Sequence, residues 1–70
     1  MTKDEVINAC THARAFGLQA NCKDITRYTG IGNWLSDAAS EHGFPFSAVG
    51  RSVKAVNQRL DAIVEFLTEK

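Results

Sequence analysis

Apolar positions recur at helical spacing along most of the chain, and glycines interrupt them. Between Thr2 and Gly17, Val6, Ile7, Cys10, Ala13 and Phe16 repeat every three or four residues, as one face of an α-helix does. Thr2 is a candidate N-cap, and Asp4 and Glu5 suit the positive end of the helix dipole. This spacing predicts a first helix that Gly17 ends in a left-handed cap. Asn21 can cap a second helix, "CKDITRYTG", with Cys22, Ile25 and Tyr28 or Thr29 inward and Gly30 as its stop. After a "GIG" turn, Asn33 can cap a third, "WLSDAASEHG", which buries Trp34, Leu35, Ala38 and Ala39 and closes at Gly43.

Pro45 biases Phe44 toward extended backbone and removes a donor, so "FPF" cannot continue that helix. Phe44 and Phe46 are expected to plug the core from a loop, or from one short turn reaching Val49. Ser52 caps the last helix, where the periodicity is strongest. Val53, Val56, Leu60, Ile63, Val64 and Leu67 fall within an arc of about 100°, the width of a core-facing stripe. Lys54, Asn57, Gln58 and Asp61 lie outside it, with Arg59 on its far flank. Phe66 also lies outside, beside Ala55 and Ala62, in a small apolar strip suited to a partner. No alternating run long enough for a sheet occurs, and the expectation is a single all-α domain, 1–70, of four to five helices.

Composition narrows the picture. Seventy residues form one domain near the size at which a single core is thin. A hydrophobic content of 44% at zero net charge is too apolar for an open chain. No apolar run approaches the ~18 residues of a membrane span, and "MTKDEVINAC" lacks the layout of a signal peptide. A cytoplasmic chain without a membrane partner is expected, with Cys10 and Cys22 kept as thiols. Eight basic residues balance eight acidic ones, but they are not mixed. Arg51, Lys54 and Arg59 occupy 51–60 without an acid, Lys23 and Arg27 precede them, and acids gather at Asp37 and Glu41 and at Asp61, Glu65 and Glu69.

The segment "AVGRSVKAVNQRL" resembles the turn and recognition helix of helix-turn-helix proteins. It is most similar to the G-x-x-V-x-x-V-x-x-R-L pattern of the promoter-reading region of extracytoplasmic-function sigma factors, matched by Gly50, Val53, Val56, Arg59 and Leu60. The resemblance covers about a quarter of the chain. Glycine admits the turn, Val56 and Leu60 anchor the helix, and the outer face is left for the major groove. The resemblance implies that Ser52, Lys54, Asn57 and Gln58 meet bases or phosphates and that Arg51 and Arg59 meet the backbone. Lys reads guanine edges and Asn or Gln an adenine edge, while Lys23 and Arg27 add phosphate contacts. Upstream the pattern departs, with Pro45 inside "HGFPFSAV" and Phe46 where a small residue belongs. A second helix-glycine-helix stretch, "CKDITRYTGIGNWLSDAA", has Ser36 where an apolar anchor belongs and reads as hairpin packing.

Other chemistry finds little support. Cys10, His12, Cys22 and His42 lack the close pairs of structural zinc sites, and C-x-H on a helix aims its side chains about 200° apart. No nucleophile elbow or phosphate loop occurs, and "GIG" lacks the required spacing. Cys22 at a helix start is a weak candidate for a lowered thiol pKa. No enzyme, cofactor, metal or small-molecule substrate is expected. Two readings remain: a helix-turn-helix-like DNA-binding regulator or accessory factor of bacterial or phage type, or a helical protein-interaction module. The latter would be an adaptor or an inhibitor of a larger partner. A homodimer through Ala55, Ala62 and Phe66 is compatible with either.

Overall fold

The computed structural model describes residues 1–19 and 24–69. Asn21, Cys22 and Lys23, to which a cap, an inward thiol and a phosphate contact were assigned above, lie outside the described residues. Among the described residues there are three helices, α1 (Lys3–Gln19), α2 (Ile25–Ser40) and α3 (Val53–Glu69), and no strand. The all-α class holds, but four to five helices become three.

The reduction comes from the glycines. Gly17 does not stop α1, which continues to Gln19. Its bare Cα lies against the Tyr28 ring, and a Cβ there would overlap the phenol. Gly30 and Gly32 do not break α2 either. Tyr28, Gly32, Leu35 and Ala39 are buried in phase along one face, so a single stripe crosses the "GIG" segment. An ideal Cβ on Gly32 would stand 3.0 Å from Val56 and 3.3 Å from Val49, and this close approach offsets the helical cost of glycine. Gly43, at φ 97, does take the left-handed conformation just beyond α2.

One continuous α2 changes the side-chain assignments. Leu35, Ala38 and Ala39 are buried as expected, whereas Trp34 is 57% exposed. It adjoins Leu35 in sequence but stands on the outer face, because Tyr28, Gly32 and Leu35 set the phase. Asn33 is not a cap. It sits inside α2, and its Oδ1 accepts the Val49 N–H at 2.9 Å.

The starts of α1 and α3 behave as their sequences suggest, whereas α2 begins at Ile25 with Asp24 at its cap position and no side-chain cap bond. Thr2 and Glu5 form a reciprocal capping box: the Thr2 N–H donates to the Glu5 carboxylate at 2.8 Å, and the Glu5 N–H to Thr2 Oγ1 at 3.2 Å. These bonds lower the Glu5 pKa, chiefly through the Thr2 backbone N–H. Ser52 Oγ accepts the Ala55 N–H at 3.0 Å and caps α3.

The core gathers Val6, Cys10 and Ala13 from α1, Tyr28, Leu35 and Ala39 from α2, and Val56, Leu60, Ile63 and Leu67 from α3. Tyr28 packs beside Phe16, and His42, just beyond α2, meets the Met1 carbonyl at 2.8 Å. These two contacts make α1 antiparallel to α2. Thr26 meets Arg51, Tyr28 meets Asn57 and Ser36 meets Arg59, so α2 and α3 run in the same direction.

Parallel helices need a long return. Residues 41–52 supply it as a strap that runs back along the flank of α2, without a helix at 44–50. Val49 of the strap is buried in the core. Phe44 plugs as expected, meeting Phe66 edge-on with ring centroids 5.4 Å apart, but Phe46 is 54% exposed. Phe66, Ala55 and Val53 pack partly buried against the core. Phe66 is thus covered in part by Phe44, and Ala62 is exposed.

Candidate functional site

The basic segment at the start of α3 divides into side chains used inside the fold and side chains left in solvent. Arg59 belongs to the first group. Its Nη1 donates to Ser36 Oγ at 3.0 Å and to the Ser47 carbonyl at 2.6 Å, and its Nη2 donates to Ser47 Oγ at 2.8 Å. The guanidinium also lies over the Phe44 ring, 5.9 Å from its centroid. Arg59 therefore ties α2, α3 and the strap together at one point.

Asn57 is likewise engaged, its Oδ1 accepting the Tyr28 hydroxyl inside the α2–α3 contact. Burial of Tyr28 raises its phenol pKa. Arg51 Nη2 donates to Thr26 Oγ1 at 2.9 Å, an exposed contact that rests the guanidinium against the start of α2. Ser52 spends its hydroxyl on the α3 cap. Lys54 and Gln58 are exposed on the outer face of α3, and Arg27 is exposed on α2 beside Thr26. Arg27, Arg51 and Lys54 are thus gathered around the adjoining N-terminal ends of α2 and α3, with Asp24 at the cap position of α2.

Farther along α3 the charge turns acidic. An open groove of about 500 Å³ between α1 and α3 is lined by Thr11, Arg14, Asp61, Val64, Glu65, Thr68 and Glu69. Asp61 in it pairs with Arg14 at 3.1 Å. The outer face of α3 is therefore basic and amide-bearing for its first turns and acidic thereafter.

The connection between α2 and α3 is the whole strap, much longer than the three- to four-residue turn of a helix-turn-helix pair. Cys10 is a free, buried thiol whose pKa burial raises to about 11. Among the described residues no group of three or more His, Cys, Asp and Glu side chains could hold a metal ion, and no helix is long and apolar enough to cross a membrane.

Sequence reasoning missed Ser36, Ser47 and Trp34. Ser36 was legible as the polar residue in an apolar register; it is fully buried, and its hydroxyl donates to the Gly32 carbonyl at 2.8 Å while accepting from Arg59. Ser47 carried no periodic signal, because its role depends on the path of the strap. No known protein family, curated protein or solved structure matches this chain, so its own residues carry the functional reading.

Proposed function

We propose that this chain is a small nucleic-acid-binding protein, a regulator or accessory factor, which meets phosphates with the end of the molecule where α2 and α3 begin. The carrying observation is the junction of Arg51 with Thr26, which sets two parallel helix starts side by side with Arg27, Arg51 and Lys54 around them. Unpaired N–H groups and helix dipoles favour anions at such ends, and the three cations add the charge that a phosphate backbone requires. Base contacts in this reading fall to Lys54 and Gln58, the exposed members of the first turns of α3. Arg59 and Asn57 act indirectly, by holding the strap and α3 in place.

Titration of labelled mixed-sequence duplex DNA at several salt concentrations tests the reading. Binding should weaken steeply with salt, and Arg51→Ala combined with Lys54→Ala should lower the slope of log K against log salt by about 2. Equal binding by wild type and this variant sinks the proposal. Absence of binding at low salt favours the second reading, a protein-interaction module, for which the exposed Trp34 is the specific observation.

A further inference from the structure

We propose that the outer face of α2 is a self-complementary surface through which two copies of this chain pair, antiparallel and related by a two-fold axis. The inference begins with Gly30. Gly17 and Gly32 are glycines because a side chain would meet Tyr28, or Val56 and Val49. A Cβ on Gly30 would meet nothing within 4 Å, yet glycine costs a helix interior roughly 1 kcal/mol relative to alanine. Among the described residues, nothing within the monomer requires it.

One turn along the same outward face stands Trp34, 57% exposed, the largest side chain in the protein and its only tryptophan. Arg27 lies one turn before Gly30, and Asp37 about one turn after Trp34. Both are exposed, and neither joins an ion pair among the described residues. The face therefore reads Arg27, Gly30, Trp34, Asp37: cation, hollow, ring, anion.

This order has a two-fold consequence. The midpoint between Gly30 and Trp34 along α2 is also the midpoint between Arg27 and Asp37. A two-fold axis through that point, perpendicular to α2, lays Trp34 over the second copy's Gly30 and Arg27 over the second copy's Asp37. Symmetry then repeats both contacts. A ring enters each hollow, where the absent side chain lets the helices approach, and an ion pair closes each end. A parallel pairing would instead oppose Trp34 to Trp34 and Arg27 to Arg27. Pairing takes Arg27 out of solvent, so the phosphate contacts of a paired chain fall to Arg51 and Lys54.

Sedimentation equilibrium of the full chain up to about 1 mM, read together with Trp34 fluorescence, tests this. The expected result is a monomer–dimer equilibrium accompanied by a blue shift of emission with concentration. Trp34→Ala, Gly30→Leu and Arg27→Glu should each raise the dimer Kd by about tenfold or more, with the helical circular dichroism retained. The double variant Arg27→Glu/Asp37→Arg restores both end pairs with reversed sign and should recover dimerisation to within about threefold of wild type. A chain that stays monomeric throughout, a dimer indifferent to Trp34→Ala or Gly30→Leu, or a double variant as weak as Arg27→Glu alone would each overturn the proposal.

Discussion

The Tyr28 hydroxyl donates to Asn57 Oδ1 within the contact between α2 and α3, joining the largest fully buried side chain to a residue of the basic segment. Tyr28→Phe keeps the ring beside Phe16 and removes only the hydroxyl, leaving the half-buried Asn57 amide without that donor. A loss of about 1–2 kcal/mol in urea unfolding is expected. Asn57→Ala should lose a similar amount, whereas Gln58→Ala, on the exposed face, should stay within about 0.5 kcal/mol of wild type. Comparable losses at Asn57 and Gln58 would show that the hydrogen bond contributes nothing.

Arg59 holds the strap by a fork, with separate nitrogens on the Ser47 carbonyl and the Ser47 hydroxyl, and with Phe44 under its plane. Lysine has one nitrogen and no plane. Arg59→Lys and Arg59→Ala should therefore both loosen residues 44–50, with a loss of roughly 1–3 kcal/mol, because these are charge-assisted bonds to partly exposed groups. Hydrogen exchange at the Val49 N–H, which Asn33 accepts, is the local readout. Unchanged protection at Val49 in Arg59→Ala would mean that the core burial of Val49 alone fixes the strap.

Helical periodicity made much of this arrangement legible in advance. The stripe of α3 emerged almost intact: Val56, Leu60, Ile63 and Leu67 are buried, and Val53 and Val64 flank them. The caps at Thr2 and Ser52 were legible because they depend on local chemistry alone. The glycines misled because a bare Cα has two uses, turning the chain and admitting a neighbour. Only tertiary packing distinguishes them: Tyr28 fills the space at Gly17, and Val56 and Val49 fill that at Gly32. Once α2 was divided at "GIG", its phase was lost and Trp34 was assigned to the core. The use of Arg59 and Asn57 inside the fold was likewise hidden, since Ser47 and Tyr28 approach them only through the return path of the strap and the parallel course of α2 and α3.

The same contrast between glycines gives opposite signs for one substitution. At Gly17 a methyl group would overlap the Tyr28 ring, which is fully buried and cannot swing away without opening the core. Gly17→Ala should cost at least about 2 kcal/mol. Gly30→Ala meets no neighbour and gains helix propensity, so it should raise monomer stability by about 0.5–1 kcal/mol. Thermal or urea unfolding at a concentration well below any self-association measures both. A destabilised Gly30→Ala monomer would place a contact at Gly30 that the monomer lacks here.

Cys10 gives the fold an alkaline weakness. Its thiol is fully buried on α1, and burial disfavours the thiolate, raising the pKa from 9.0 to about 11. The unfolded chain keeps the lower value, so above it the unfolded state releases a proton that the folded state retains. The contribution is fully present below pH 9.0 and is lost as the pH rises from there toward about 11. Over that window, on the order of 2 kcal/mol of stability disappears. Tyr28 shifts in the same direction, also through burial, but from a higher ordinary value of 10.0, so Cys10 acts first. In a Cys22→Ser background, unfolding free energy should be level from pH 7 to about 8.5 and fall between pH 9 and 10. Cys10→Ala should begin less stable, because it leaves a small cavity, and should stay flat across that interval. Parallel curves for the two proteins between pH 9 and 10 would show that the Cys10 thiol ionises as readily in the folded chain as in the unfolded one.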